Sequence, residues 1–258
     1  MNNPFGNNPS GNNPPDCRSE SSAGIAVRLQ NVRLRIEQAC RRAGRKPEQV
    51  KLLAVSKTVP VDGLVAAIEA GQICFGENYV QEAVKKSEQL AAAGIIILQR
   101  PVFHLIGNLQ RNKVKQAVGV FELIHTVDRI EVAAEIEKIA AAKSLRQSIL
   151  LQVNISGEAS KSGADPQNAA DLALEISKFK SIDLCGLMCI GSYFEASEPE
   201  ELRRKELVAL RQLRDSISSQ TDLGLPELSM GMSHDFELAV EEGATIVRVG
   251  SAIFGARG

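Results

Sequence analysis

The sequence has no apolar run approaching the roughly 20 residues that a membrane-spanning helix needs. It also has no basic patch followed by an apolar core near its start, as a secretory signal would require. Charge of one sign is missing too. The 258 residues carry a net charge of -1, so nothing favours DNA, RNA or an anionic membrane through bulk electrostatics. Five cysteines (Cys17, Cys40, Cys74, Cys185, Cys189) are an odd number scattered through apolar stretches, which argues against a disulfide framework and for reduced thiols. Cys185 and Cys189 lie in an apolar run without a second pair, and His104, His125 and His234 sit on three different segments, so no metal site is expected. The GSAIFG stretch lacks the Lys-Ser/Thr ending of a nucleotide-binding loop. The expectation is a cytoplasmic protein without nucleic-acid, membrane or metal partners.

What is present is organised. Residues Met1 to Ser22 repeat GNNP and are rich in Asn, Pro, Gly and Ser. Such a composition buries too little apolar surface to offset its ordering entropy, so residues 1–22 are expected to be a disordered tail. From Ala23 to Ala43, Ile25, Leu29, Val32, Ile36, Ala39 and Cys40 recur at helical spacing, and Gly44 supplies a stop. Eight short apolar runs follow, at 51–57, 72–76, 102–107, 122–127, 148–155, 183–191, 227–231 and 245–250. Helical patterns such as VDGLVAAIEAG and RIEVAAEIEKIAAAKS lie between them. Strands that are apolar throughout and alternate with helices mean a parallel sheet covered on both faces. Eight of them fit a closed (β/α)8 barrel of the TIM type with an extra N-terminal helix, over residues 23–258. The run ELRRKELVALRQLRD (201–215) reads as the solvated face of a helix.

In such a barrel the strands' C-terminal ends face one mouth, where active sites sit. Lys57 ends the first run, and alternation puts Leu53, Val55 and Lys57 on one side. If that side is the lumen, the ammonium is partly desolvated, its pKa should fall, and its amine becomes a nucleophile for carbonyl compounds. A solvated strand-end lysine is the alternative. The seventh and eighth runs end SMGMSHD and RVGSAIFG, where such barrels often hold a phosphate. Gly231 and Gly250 allow close backbone approach, Ser229 and Ser251 offer hydroxyls, and Arg248 offers a planar fork. An arginine in an apolar strand needs an anionic partner, either a ligand or a structural carboxylate.

The segments LLAVSKTVP, FGENYVQEA, FHLIGNLQRNK, HTVD, LLQVNISGEASKSG, GLMCIG and LSMGMSHDFELAVEEGATIVRVGSAIFGAR together resemble the pyridoxal phosphate homeostasis proteins over residues 24 to 258. The resemblance implies the barrel of the alanine racemase N-terminal domain. It implies pyridoxal 5'-phosphate as the cofactor, held as a Schiff base on Lys57. Ser229, Gly231, Arg248, Gly250 and Ser251 would hold the phosphate, with Asn78 and Met188 lining the ring and Val55 and His104 completing the cofactor-binding set. The implied role is intracellular vitamin B6 and amino-acid homeostasis, with apo-enzymes as the implied recipients of the cofactor, no catalytic residue and no substantial turnover. A two-base racemase would need an acid/base opposite the lysine, and only Tyr79 and Tyr193 are available. No second domain is expected to supply one, which also leans towards a monomer. A Schiff-base aldolase is the third reading, disfavoured because no proton-relay carboxylate is evident beside Lys57.

Overall fold

The computed structural model describes residues 22–95, 101–158, 160–192 and 199–255. Of the expected tail only Ser22 falls among them, as the first residue of helix α1 (Ser22–Arg42). Strands β1 (Lys51–Val55), β2 (Cys74–Glu77), β3 (Val102–Leu105), β4 (Leu123–Val127), β5 (Gln147–Gln152), β6 (Ile182–Met188), β7 (Glu227–Ser229) and β8 (Ile246–Val249) pair in chain order into a closed parallel barrel. Five of the expected runs contain their strands, while β2, β5 and β6 each reach one residue beyond the expected bounds, at Glu77, Gln147 and Ile182. The expected runs extend past β5, β6 and β7 because the chain leaves the ladder at the barrel's edge, where no neighbour remains to pair with.

Helices α2 (Val61–Glu69), α3 (Val80–Ala92), α4 (Val114–Ala117), α5 (Ile130–Ala142), α6 (Ala169–Ser177), α7 (Glu200–Thr221) and α8 (Phe236–Glu241) follow the first seven strands, and a last turn, α9 (Ser251–Phe254), follows β8. α1 buries the predicted stripe of Ile25, Leu29, Val32, Ile36, Ala39 and Cys40. It packs on α2, α8 and α9, closing the shell where β8 meets β1. Arg28 and Arg45 tie it down through the carbonyls of Ile253 and Val240, both at 2.6 Å. The charged run lies on α7, where Leu207 and Leu210 are buried and Arg204 braces Glu200, Glu241 and Glu242.

Alternation divides the apolar side chains into two compartments. Ala54, Phe75, Phe103, Leu105, Ile124, Val247 and Val249 pack outward against the helices. Leu53, Cys74, Leu123, Leu150, Met188 and Ile246 fill the lumen. Leu53 pairs in register with Arg248, so the odd-numbered positions of β1 and the even-numbered positions of β8 both point inward. Truncating a lumen leucine would cost about 2–5 kcal/mol. The lumen is therefore a packed core on which a site rests.

Candidate functional site

β1 hands its chain to a turn in which Val59 N–H donates to the Ser56 carbonyl at 2.9 Å. Thr58 in that turn has φ of +63°, a conformation that β-branched residues rarely adopt. A buried ionic cluster behind the sheet holds it. Thr58 N–H donates to Glu82 Oε1 at 2.6 Å. Lys86 Nζ donates to Glu82 Oε1 (2.6 Å), Glu77 Oε1 (2.8 Å) and the Ser56 carbonyl (2.6 Å), and Ser56 Oγ donates to Glu77 Oε1. Glu77 and Lys86 are almost wholly buried. Burial pushes the Glu77 carboxyl above its ordinary value, and the Lys86 and Ser56 hydrogen bonds oppose that rise. Lys57, within this turn, is half-buried and opens into the barrel mouth.

The mouth holds a cavity of about 430 Å³. Six of the ten expected binding residues line it: Val55, Lys57, Asn78, Arg248, Gly250 and Ser251. Asn78, just past β2, lies against Gly107 two residues beyond β3, where a Cβ would stand 2.2 Å from the Asn78 carbonyl oxygen, so only glycine lets the two segments pass. Just past β8, the strand next to β1, the Gly250 and Ala252 N–H groups both point at one oxygen, Ser233 Oγ, at 3.1 and 3.5 Å. That is a small backbone nest for an oxygen acceptor. Arg248 is buried below it. Its Nη1 donates to Ser229 Oγ at 2.7 Å and its Nη2 to the Cys189 carbonyl at 2.8 Å, leaving three N–H groups for other acceptors. Burial lowers its pKa, and no carboxylate among the described residues forms an ion pair with it. An unneutralised guanidinium at a cavity wall calls for an anionic or strongly accepting ligand.

Against this geometry, residues 27–258 match the family model described as alanine racemase, N-terminal domain. A pyridoxal phosphate homeostasis protein of Aquifex aeolicus is 44% identical over 233 residues, covering 89% of this chain and 97% of that protein. The chain belongs to that family. Among solved structures, PipY of Synechococcus elongatus with PLP bound superposes with a TM-score of 0.77 at 34% identity, covering 90% of this chain and 100% of that one. An alanine racemase from Clostridium difficile shares the fold, with a TM-score of 0.69 at 16% identity, over 91% of this chain and 57% of the racemase.

For a member of this family, the remaining four expected residues sit apart from the cavity lining. His104, Met188 and Ser229 lie in the lumen, fully buried, at levels set by their strands. Gly231 turns the loop after β7 with φ of +88°, where a Cβ would approach Ala239 Cβ to 2.4 Å. Ile106, Ile190, Met232, Ser233 and His234 also line the cavity, though none of them belonged to the expected binding set. The signal for Ser233 is the shortness of β7. The strand stops at Ser229, so the SMGMSHD segment delivers its later residues, by way of a loop, to the rim. The Glu82–Lys86 pair was legible as an i,i+4 spacing, but nothing in the sequence tied it to Lys57. Four cysteines, Cys40, Cys74, Cys185 and Cys189, are free thiols among the described residues, as expected. Cys17 and Tyr193 lie outside those residues. No group of three metal-ligating side chains and no helix long and apolar enough to cross a membrane occurs among the described residues.

Proposed function

We propose that this chain binds pyridoxal 5'-phosphate as a Schiff base on Lys57 and serves vitamin B6 and amino-acid homeostasis without substantial turnover. The observation that carries the reading is one cavity lined together by a half-buried lysine after β1 and, from the neighbouring β8, a buried arginine with a backbone nest just past it. Its volume of about 430 Å³ suits a small cofactor. The relatives' name and the PLP bound to PipY support the same assignment.

When bound, the cofactor supplies an aldehyde that an amine captures reversibly. Lys57 provides the amine at the end of β1, positioned by the Glu77–Lys86–Glu82 cluster. Gly250, Ser251 and Ser233 would hold the phosphate, and Arg248 would offer its remaining N–H groups from below. Val55 and Asn78 line the cavity, with Met188, Ser229 and Gly231 supporting it from the lumen and the β7 loop. Apo-enzymes that take up the cofactor are the natural partners of such a carrier.

The racemase reading requires a second acid/base facing the lysine. Tyr79 is exposed at the start of α3, Tyr193 lies outside the described residues, and among the described residues the cavity lining contains no carboxylate or tyrosine. Among the described residues, His234 at the exposed rim is the candidate that lines the cavity. Two measurements test the proposal. Borohydride reduction should fix one cofactor mass on the Lys57 peptide. Chiral chromatography with deuterium exchange at Cα should find turnover with common amino acids far below about one per second, the low end of the usual enzyme range. An adduct on another lysine would overturn the attachment, and faster turnover would make this an enzyme.

A further inference from the structure

The lumen below the cavity is not purely apolar. Arg248 Nη1 donates to Ser229 Oγ at 2.7 Å, Ser229 Oγ lies 2.9 Å from His125 Nδ1, and His125 Nε2 lies 2.9 Å from His104 Nδ1. His104 Nε2 then faces Cys74 Sγ at 3.3 Å and Glu122 Oε1 at 3.6 Å. Cys74 and Glu122 both line a second cavity, of about 450 Å³, at the strands' N-terminal end. One chain of polar atoms therefore runs the length of the barrel, crossing from β8 and β7 to β4, β3 and β2.

We propose that His125 and His104 are positioning residues that, through Ser229, hold the Arg248 guanidinium in one orientation beneath the cavity. This rests on reading that cavity as the ligand site. The direction of the chain follows from its ends. A guanidinium can only donate, so Ser229 Oγ accepts from Arg248; the Glu122 carboxylate can only accept, so His104 carries its hydrogen on Nε2, and with both rings neutral the Ser229 hydrogen goes to His125 Nδ1. His125 then carries its hydrogen on Nε2 and donates to His104 Nδ1. His104 in turn carries its hydrogen on Nε2, where the Cys74 sulfur and the Glu122 carboxylate accept. Each ring is neutral and each has one allowed tautomer.

The surrounding charges agree with that assignment. The groups facing the two rings are Lys51 from β1, Cys74 from β2, Glu122 from the turn before β4, Glu227 from β7 and Arg248 from β8. Burial lowers both imidazoles, and Arg248 and Lys51 act on His125 in the same direction. Burial pushes the Cys74 thiol up to about 12, so it remains a thiol, while His104 holds Glu122 below its ordinary value. A second cation in the lumen beside Arg248 is thereby avoided, and the hydroxyl of Ser229 keeps its lone pairs turned towards the guanidinium.

Two experiments, one without ligand, test the proposal. In cofactor-free protein, long-range nitrogen–proton NMR should find both rings neutral, with the hydrogen on Nε2, at about pH 6, below their ordinary 6.5. The Arg248 Nη protons should give separate signals, and His125→Leu, which keeps volume but removes both nitrogens, should merge them. The same variant should raise the Kd for pyridoxal phosphate about tenfold while the Lys57 adduct still forms. His125→Gln, with one donor and one acceptor, should recover part of that loss. If His125→Leu does not fold, Ser229→Ala cuts the chain at the hydroxyl and should release the His125 tautomer. A hydrogen on Nδ1 of either ring, an imidazolium, or an unchanged Kd in a folded His125→Leu overturns the proposal. An unmutated protein that takes up no pyridoxal phosphate would overturn the cofactor reading instead, leaving the tautomer result standing alone.

Discussion

Two lysines flank the same strand, six residues apart, and meet opposite environments. Lys51 opens β1 at the N-terminal mouth, with its side chain 43% exposed and its ammonium 3.9 Å from Glu122. Lys57 follows β1 at the C-terminal mouth, half-buried in a cavity it shares with Arg248, Asn78 and the Gly250 turn. The side chains are chemically identical. The mouths differ in what faces them: a solvated carboxylate below, and above it a guanidinium, an amide nest and a turn braced by buried charge. In a parallel barrel every strand has one end at each mouth, so position along the strand selects chemistry.

The sharpest way to break this comparison is to exchange the two lysines' fates. Lys57→Ala should abolish the borohydride-trapped adduct and leave the protein colourless, whereas Lys51→Ala should keep both. Peptide mass mapping and a visible spectrum decide it, and an adduct on Lys51 in the wild-type chain would sink the distinction.

Next in size is the brace behind Lys57. Lys86 sits between Glu77 and Glu82 with its side chain 6% exposed. Removing one partner of a buried ion pair leaves the other uncompensated, at about 3–5 kcal/mol. Lys86→Ala should show that loss in urea unfolding at about pH 7. A cost below about 1 kcal/mol would mean that the upper mouth is not held by charge.

Arg248→Ala should weaken pyridoxal phosphate by about ten- to a hundredfold, as expected of one charge-assisted contact. The comparison with pyridoxal, which lacks the phosphate, divides Arg248's role. A larger loss for pyridoxal phosphate places the guanidinium's spare N–H groups on the phosphate. An equal loss assigns them to the ring and leaves the phosphate to the Gly250–Ala252 nest.

How much of this was legible follows from the same geometry. The eight strands could be read because a sheet buried on both faces leaves apolar runs in the sequence. Lys57 and Arg248 could be read because each is a cation breaking such a run. The link from Ser229 on to His125 could not, since the two are 104 residues apart and meet only when the barrel closes. Met188 and Ser229 carry the right alternation for the lumen but not its depth, which depends on the stagger of neighbouring strands. Ser233 and His234 depend on where β7 ends, the least readable feature of a short strand.

The lumen joining the two mouths should be visible in the pH dependence of stability. His104 and His125 are both lowered from 6.5 by burial, so below that value the unfolded chain binds more protons than the folded one. Stability must then fall as the pH drops through about 6.5 towards the folded values, at up to about 1.4 kcal/mol per pH unit for each ring. Glu122, lowered by His104, adds a loss further down, across the carboxylate range. Glu77, raised by burial, has the opposite sign: its contribution increases as the pH falls from its raised value to the ordinary one. Urea midpoints at about pH 7 and 5.5 should differ in the wild type and differ less in His125→Leu. Equal slopes would remove the imidazoles from the account.

The smallest expected effect completes the comparison. Lys51→Ala removes an ion pair whose members are 43% and 52% exposed and 3.9 Å apart. Such pairs contribute about 0–1 kcal/mol, because water screens the attraction and ordering two long side chains offsets it. The loss should lie at the low end, since the lysine's departure also leaves Glu122 free to face His104 alone, a partner already 3.6 Å away. Cofactor capture at Lys57 should be unchanged, because the lumen chain ends on Glu122 and Cys74 and does not pass through Lys51. Unfolding in urea and titration with pyridoxal phosphate measure the two quantities. A Lys51→Ala variant that binds the cofactor tenfold more weakly would show that the lower mouth is coupled to the upper one through charge as well as through hydrogen bonds.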